Sequence, residues 1–255
     1  VFNLRNTFLL ISALLTFFIV ITNHRISLQE DLIFEIKKGN SLQVVANELK
    51  KRDIILNHFF FILNAKIYNI DQKIKAGEYL LSKSESIFTL QKKFIKGNTF
   101  FRKLQLLEGM TTREILKLGN SEGIVDDING DLEKFKLKLN IVGQAEGLLF
   151  PDTFYYQKGD LFSSLLKRAF NKQQTVYKDL WDSRQEDLPY SSLIEAITLA
   201  SIIEKEGLEK EMIAGVFVNR LRKKMKLQSD PTVIFALGSK FDGNIKRSHL
   251  RIDNP

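Results

Sequence analysis

A helix near the carboxyl end carries the carboxylate with the clearest chemical potential. Residues 193–206 read LIEAITLASIIEKE. At about 100° per residue, Glu204 falls on the same face as Ile197 and Ala200, at the end of an apolar stripe. No lysine or arginine lies three or four residues from Glu204 along the chain, so no ion pair is expected within the helix. A carboxyl with apolar neighbours keeps its proton more readily, which suits a general acid.

Glu206 is predicted to face the opposite side of this helix, with Lys210 four residues further on as an ion-pair partner. A structural interpretation of Glu204 stays open beside the catalytic one. In that interpretation Glu204 merely ends a buried helix and reaches solvent, or is paired from another element.

Two further stretches carry residue types that suit a carbohydrate ligand. Residues 146–156 (EGLLFPDTFYY) combine carboxylates with aromatic rings, which stack on the apolar faces of sugars while the carboxylates bind hydroxyls. The same aromatic residues could simply fill a core. In residues 228–232 (QSDPT), Asp230 is predicted to cap a helix whose first residue is Pro231, and this motif could be purely structural.

Composition excludes several classes of site. The 255 residues contain no cysteine, which removes disulfide frameworks, Cys-ligated metals and thiol catalysis. The three histidines are far apart in sequence, which disfavours a His-rich metal site and a Ser-His-Asp triad. The net charge is +8, which suits an anionic partner, but the lysines are dispersed along the sequence, so we expect no nucleic-acid partner.

The amino-terminal segment is expected to be a membrane anchor. Residues 8–21 (FLLISALLTFFIVI) carry no charge and are flanked by Arg5 and Arg25. A spanning helix needs about 20 residues, and snorkelling of the two arginines or local thinning would make up the difference. Because no small-residue cleavage site follows, we expect an uncleaved signal-anchor over 1–25, rather than a cleaved signal peptide or a buried core helix. The protein would then be single-pass in the inner (plasma) membrane, with its body periplasmic.

The elements that position these residues indicate an α+β fold. A strand–helix–helix–strand unit is predicted first, followed by a third helix that ends near residue 95. A further strand follows at 100–107. The rest of the chain is mainly helical, with helices predicted at 131–137, 161–178, 193–206, 210–223 and 231–237. We place a domain boundary near 98–105.

The body of the chain resembles the endolytic murein transglycosylase family, the YceG-like proteins. Four motifs in this order carry the resemblance: EGLLFPDTFYY (146–156), LASIIEKE (199–206), VFVNRL (216–221) and LQSDPTVIFALG (227–238). The resemblance implies a LysM-like peptidoglycan-binding subdomain at 30–100 and a YceG-like catalytic domain at 101–255.

The family's catalytic glutamate matches Glu204. We expect the substrate to be bound by Glu146, Asp152, Tyr155, Asn219, Arg220, Gln228, Ser229, Asp230 and Thr232. The resemblance implies neither a metal nor an organic cofactor. The expected partners are peptidoglycan glycan strands, membrane lipid through the amino-terminal helix, and penicillin-binding proteins of the wall-synthesis machinery.

The implied reaction is cleavage of the β-1,4 bond between N-acetylmuramic acid and N-acetylglucosamine within nascent strands. It leaves a 1,6-anhydro end and terminates chain elongation. Two departures from the family pattern stand out: Phe154 replaces a common tyrosine, and the sequence ends at Asp253–Asn254–Pro255, where the family's domain continues. We therefore expect an incomplete sequence that could be inactive by itself.

The alternative function is a membrane-anchored peptidoglycan-binding scaffold with a degenerate catalytic domain. The environment of Glu204 should discriminate between the two. An enzyme would hold Glu204 unpaired in a cleft lined by Gln228, Asp230 and Glu146, whereas a scaffold would bury it in ion pairs.

Overall fold

The computed structural model describes residues 4–22, 26, 28–69, 73–83 and 85–252. Its helices and strands follow in the order α1 (Leu4–Thr22), β1 (Leu32–Ile36), α2 (Leu42–Lys51), α3 (His58–Ile67), β2 (Gly77–Leu81), α4 (Ile87–Lys96), β3 (Arg102–Gln105), α5 (Thr112–Leu116), α6 (Leu132–Leu139), β4 (Thr153–Tyr156), α7 (Phe162–Asp182), α8 (Leu193–Glu206), α9 (Lys210–Arg222) and α10 (Asp230–Leu237). The strands form two two-stranded sheets, β1 with β2 and β3 with β4.

The chain divides into two compact units. Unit 1 consists of Val1–Arg102 together with the short segment Tyr155–Gly159. Unit 2 consists of Lys103–Phe154 and Asp160–Pro255. The fold is α+β, as the sequence patterns predicted.

The prediction that the amino-terminal helix spans a membrane is wrong. The apolar run of α1, residues 8–21, is 14 residues long, which at 1.5 Å per residue gives roughly 21 Å, against about 30 Å for a bilayer's hydrocarbon core. Within the described residues no helix is both long enough and apolar enough to span a membrane. Instead α1 packs on α3, where the rings of Phe17 and Phe60 meet edge to face with centroids 6.1 Å apart. Arg25, one of the two flanking arginines, lies outside the described residues.

Unit 1 is built around the predicted strand–helix–helix–strand order. β1 and β2 pair antiparallel, with Phe34 opposite Tyr79. The Ser41 hydroxyl accepts a hydrogen bond from the Val44 N–H at 3.4 Å and so begins α2. Ser86 begins α4 in a capping box with Thr89.

Aromatic rings fill the core of unit 1. Phe34, Phe61, Tyr79 and Phe94 are fully buried. The rings of Tyr79 and Phe94 meet edge to face at 4.8 Å, and those of Phe34 and Phe94 stack at 6.2 Å. The Tyr79 hydroxyl donates to the Lys75 carbonyl at 2.7 Å, which satisfies its polar end, and burial raises the pKa of this hydroxyl.

The segment Tyr155–Gly159 is tied into unit 1 by polar contacts. The ammonium of Lys158 lies 2.7 Å from the Glu35 carboxylate on β1. The Gln157 amide donates to the Thr99 hydroxyl. A stretch distant in sequence therefore completes the first unit.

The core of unit 2 is built on one face of α7. Phe162, Leu165, Leu166 and Ala169 are all buried, at the i, i+3, i+4, i+7 spacing of a helix face. Ile128 and Phe135 are also fully buried in this unit. The helices α8 to α10 contribute much less to the core. Among their described residues the buried ones are Leu199 and Phe217, and Ser229, which immediately precedes α10, is buried as well.

Phe94 supports unit 1 from the middle of its core. We predict that Phe94→Ala lowers the free energy of unfolding of unit 1 by about 3–5 kcal/mol, because it removes a buried ring and leaves a cavity. Phe88→Ala on the same helix is the matched control, since Phe88 is 39% exposed. Amide hydrogen exchange of unit 1 during urea unfolding measures the loss. Fluorescence of the single tryptophan, Trp181 in unit 2, follows the other unit. Equal losses in the two variants would contradict this account of the core.

Candidate functional site

The helix α8, which carries Glu204, has a well-defined start. Ser192 and Glu195 form a capping box, in which each side chain accepts a hydrogen bond from the other residue's backbone N–H. The Glu195 carboxylate accepts bonds from the N–H groups of Ser191 at 2.7 Å and Ser192 at 3.2 Å. These bonds hold the pKa of Glu195 below its ordinary value. Glu195 is therefore engaged at the amino end of the helix, away from Glu204.

Glu204 lies in the last turn of α8 and forms an ion pair with Lys210. The ammonium of Lys210 contacts the Glu204 carboxylate and also donates to the Glu204 backbone carbonyl at 3.2 Å. Lys210 begins α9, beyond the break at Gly207, so its proximity could not be derived from spacing along α8. The Glu204 side chain is 38% exposed. For an enzyme we expected Glu204 to be unpaired in a cleft, and for a scaffold we expected it to be buried in ion pairs. The structure lies between these two expectations, because Glu204 is paired but not buried.

Glu206 has a different partner from the one predicted. The sequence predicted an ion pair with Lys210, but Lys210 pairs with Glu204. The Glu206 carboxylate accepts a hydrogen bond from the hydroxyl of Ser229, which is buried. Because Ser229 immediately precedes α10, this bond ties the end of α8 to the start of α10.

Two loops approach α8 closely. Gly147, with a φ of +70°, lies so near α8 that a Cβ there would be 3.8 Å from the Ile197 side chain. The buried side chain of Gln173 on α7 donates to the Gly147 carbonyl and fixes this loop. Gly109, with a φ of +73°, lies against the Lys205 side chain. The two glycines supply left-handed backbone that other residues adopt only at a cost.

The predicted residues around the start of α10 are brought together. Arg220 on α9 donates to the Leu227 carbonyl and, at 3.3 Å, to the Gln228 side chain. The Thr232 hydroxyl donates to the Ser229 carbonyl at 2.7 Å. Gln228 has a φ of +53°, a conformation that is uncommon for a residue with a side chain. Arg220 thus bonds to Gln228, and Thr232 bonds to Ser229, the residue that follows Gln228 along the chain, so that the four residues form a cluster at the start of α10.

Asp230 and Asn219 are exposed at the edge of this cluster. The predicted cap of α10 is displaced by one residue, because the helix begins at Asp230 and Ser229 occupies the cap position. The Ser229 side chain makes no capping bond, since its hydroxyl bonds to Glu206 instead. Asp230 therefore presents its carboxylate in the first turn of α10.

Glu146 is engaged by α5. Its carboxylate accepts bonds from the Thr112 N–H at 2.8 Å and the Thr112 hydroxyl at 3.0 Å. The Thr112 hydroxyl also lies 2.9 Å from the Ala145 carbonyl. Thr112 is buried and begins α5, so Glu146 ties the start of this helix to the loop that approaches α8 at Gly147.

Asp152 belongs to a cluster of charge and aromatic rings. Its carboxylate pairs with Lys172 on α7 and accepts a bond from the Thr153 N–H at 2.7 Å. These two contacts, the Lys172 ammonium first, hold the pKa of Asp152 below its ordinary value. The Lys172 ammonium also lies 5.0 Å from the centre of the Phe150 ring, a cation–π contact. The ring of Tyr177 meets Phe150 edge to face.

Tyr155 and the other predicted site residues are assigned to different units. It lies on β4 in the segment assigned to unit 1, whereas the others belong to unit 2. The Phe154 side chain, at the position where a tyrosine was expected, is buried. A phenylalanine suits that environment because it has no hydroxyl to satisfy.

Sequence patterns missed two polar residues that organise the site, Lys172 and Gln173, and assigned a third, Lys210, to Glu206 instead of Glu204. Each acts across a loop or between helices, where spacing along one helix gives no signal. Throughout the described part of the chain, no group of three or more His, Asp or Glu side chains could hold a metal ion.

Known proteins resemble this chain over most of its length. A family model described as the YceG-like family matches residues 34–255. A protein of Bacillus subtilis named endolytic murein transglycosylase is 31% identical over 243 residues, which cover 86% of this chain and 67% of that protein. A protein of the same name from Streptococcus pneumoniae is 29% identical over 240 residues, covering 80% of this chain and 42% of that protein. A crystal structure of a YceG-like protein from Listeria monocytogenes covers 89% of this chain and 82% of that chain, with 27% identity and a TM-score of 0.42.

The charge of Asp152 should stabilise unit 2 only where the carboxylate is ionised. We predict that Asp152→Asn is less stable than the natural chain at neutral pH. Because the folded-state pKa is lowered, this difference is fully present above the ordinary aspartate pKa of about 3.9. It disappears as the pH falls through the lowered folded-state value. Urea unfolding followed by Trp181 fluorescence at a series of pH values measures it.

The matched control places the same substitution in a Lys172→Met background. Asparagine keeps an oxygen that can accept the Thr153 N–H, so the comparison isolates the ion pair. In that background Asp152→Asn should have a smaller effect at neutral pH. The same pH dependence in both backgrounds would show that Lys172 is not the cause.

Proposed function

The chain belongs to the YceG-like family, and from this membership we propose that it is an endolytic murein transglycosylase. The chain spans two thirds of the length of the Bacillus relative and less than half the length of the streptococcal one. Family membership over residues 34–255 is the observation that carries the proposal. The substrate is the β-1,4 bond between N-acetylmuramic acid and N-acetylglucosamine inside a glycan strand.

Glu204 serves as the general acid in this proposal. Its carboxyl protonates the glycosidic oxygen while the sugar passes through an oxocarbenium-like transition state. The Glu204 side chain is partly exposed, so a polymeric substrate can reach it without the helix opening.

The same carboxyl then serves as the base. The Glu204 carboxylate takes the proton of the muramyl C6 hydroxyl, whose oxygen attacks C1 and closes the 1,6-anhydro ring. One carboxyl is sufficient because the nucleophile belongs to the substrate. Glycosidases that use water need a second carboxyl to activate that water or to attack C1.

In this proposal the ion pair between Glu204 and Lys210 has to open during each reaction cycle. The Lys210 ammonium occupies the Glu204 carboxylate, which has to face the glycosidic oxygen in the first step. The substrate therefore has to separate Glu204 from Lys210 before cleavage. Lys210 has its own anchor in the Glu204 backbone carbonyl, so it can remain nearby while the carboxyl turns to the substrate.

The cluster of Arg220, Gln228, Ser229 and Thr232 is proposed to bind the sugars on one side of the scissile bond. The Glu206–Ser229 bond supports this role, because it links the cluster to the helix that carries Glu204. Asp230 and Asn219, which are exposed at the cluster's edge, offer a carboxylate and an amide for sugar hydroxyls. Glu146 acts through the loop that it holds against α5.

The strand–helix–helix–strand part of unit 1, within residues 30–100, is proposed to be a LysM-like module that holds glycan strands without cutting them. Its antiparallel strand pair and two helices support this proposal. The protein would act outside the cytoplasm, where murein lies. Cleavage inside a nascent strand would end its elongation, which suggests penicillin-binding proteins as partners.

A non-catalytic murein-binding scaffold is the second candidate. The Glu204–Lys210 ion pair favours it, because a carboxylate that stays paired cannot donate a proton. The partial exposure of the same side chain favours the enzyme. Measuring catalysis directly decides between the two.

We predict that Glu204→Gln in the full-length protein abolishes cleavage and leaves the fold intact. The amide keeps the shape of the side chain but can neither donate nor accept the proton, and general acid–base catalysis is worth about 10²–10⁴-fold for a single transfer. Glu211→Gln is the matched control, since Glu211 is an exposed glutamate in the first turn of α9. Mass spectrometry of digested glycan strands measures release of anhydro-muropeptides, and the thermal midpoint reports folding.

Substantial activity in Glu204→Gln would remove Glu204 from the role of acid and base. A product with a reducing end in place of the anhydro end would make the protein a hydrolase. If the natural full-length protein binds murein sacculi and releases no product, the scaffold function is correct.

A further inference from the structure

The net charge of the chain is carried entirely by unit 1. Unit 1 contains 16 lysines and arginines against 8 aspartates and glutamates, and unit 2 contains 22 of each. The formal charge is therefore +8 for the first unit and zero for the second. An even composition along the chain would not produce this difference.

A scarcity of carboxylates causes the asymmetry, not an excess of lysine. The basic residues are 16 of 107 in unit 1 and 22 of 148 in unit 2, which are equal fractions. The acidic residues are 8 of 107 and 22 of 148, a twofold difference. A lysine-rich composition common to the whole sequence cannot explain a depletion confined to one unit.

Most carboxylates of unit 1 are already neutralised by ion pairs. Five of them pair with a lysine or arginine: Glu35 with Lys158, Glu48 with Arg52, Asp53 with Lys50, Glu78 with Arg102, and Glu85 with Lys93. Nine exposed lysines make no ion pair with any described residue: Lys37, Lys38, Lys51, Lys66, Lys73, Lys75, Lys83, Lys92 and Lys96.

We define the lysine cluster as four of these lysines: Lys75, Lys92 and Lys96 at the carboxyl end of α4, and Lys73, which is close to Lys75 in the sequence. Lys75 lies beside the end of the helix, and its ammonium donates to the Lys96 carbonyl at 3.4 Å. Lys92 and Lys96 are four residues apart on α4 and so share one face. Lys73 is two residues from Lys75 along the chain.

The lysines of the cluster repel one another in the isolated protein. Like charges four residues apart on a helix destabilise it. The partial negative charge at a helix carboxyl end offsets part of this repulsion within the last turn. No carboxylate among the described residues pairs with any of the four lysines. An anionic ligand would remove the repulsion.

We propose that the lysine cluster binds the free carboxylates of murein stem peptides, an inference that rests on the proposed function. The N-acetylated sugars of the glycan backbone carry no charge on their rings. The carboxylates of murein are on the peptides attached to the lactyl groups of muramic acid, so they recur along each strand. Unit 1 therefore recognises peptide-bearing murein by its charge, and binding weakens as salt screens the contacts.

The test compares two fourfold variants of the full-length protein. In the first, the four lysines of the cluster become glutamine. In the second, four exposed lysines of unit 2 without a described ion pair become glutamine: Lys117, Lys134, Lys167 and Lys178. Both variants lose the same charge, so net charge alone cannot distinguish them. Circular dichroism checks that both fold.

Binding is measured by co-sedimentation with purified sacculi, and by competition with soluble strands that carry or lack stem peptides. The cluster variant should bind intact sacculi about tenfold more weakly than the natural chain, as four exposed charge contacts allow. The unit 2 variant should bind almost as the natural chain does. Strands without stem peptides should compete poorly, and double-stranded DNA at equal charge should compete less well than peptide-bearing strands.

Three results would overturn the proposal: equal binding by the two variants, equal competition by stripped and peptide-bearing strands, or stronger competition by DNA. Cleavage assays keep this inference separate from the proposed function. Murein binding that depends on the cluster without product release would support the inference and reject the enzyme. Product release without cluster-dependent binding would do the reverse.

Discussion

Two glutamates at the end of α8 hold the candidate site together because a helix points them in different directions. Glu204 and Glu206 are two residues apart, which at about 100° per residue places their side chains on widely separated faces. Glu204 reaches Lys210 at the start of α9, and Glu206 reaches Ser229 at the start of α10. The three carboxyl-terminal helices bury few residues, so these polar contacts position them where packing contributes little.

This arrangement also explains why the two carboxylates are not equivalent. Glu206 accepts from a buried hydroxyl on an adjacent helix start and so has a structural task. The partner of Glu204 is Lys210, whose ammonium is carried on a flexible four-carbon side chain. A lysine can release a carboxylate without disturbing the backbone, whereas losing the Ser229 bond would remove a polar link between α8 and the start of α10.

The sequence was sufficient to predict those helices and strands whose apolar residues recur at a regular spacing. The apolar spacing of residues 193–206 gives the length of α8, and this helix has the predicted bounds. β4 was not predicted, because TFYY has no alternation of polar and apolar residues and depends on its pairing with β3. The partners of Glu204 and Glu206 could not be predicted, since both come from other helices. At the amino terminus, apolar composition predicted a membrane span for a helix that packs its Phe17 ring on α3.

The return of residues 155–159 into unit 1 has a consequence for the timing of folding during synthesis. Lys158 and Gln157 supply contacts to β1 and to Thr99, yet they follow the rest of unit 1 by more than fifty residues. A ribosome adds about 5–20 residues per second, so the first unit stays incomplete for several seconds after its own sequence has left the synthesis site. During that interval Glu35 lacks Lys158, and unit 2 has begun to emerge. A nascent-chain chaperone would meet unit 1 in this unfinished state, although the residues of the hydrophobic core of unit 1 have already been synthesised.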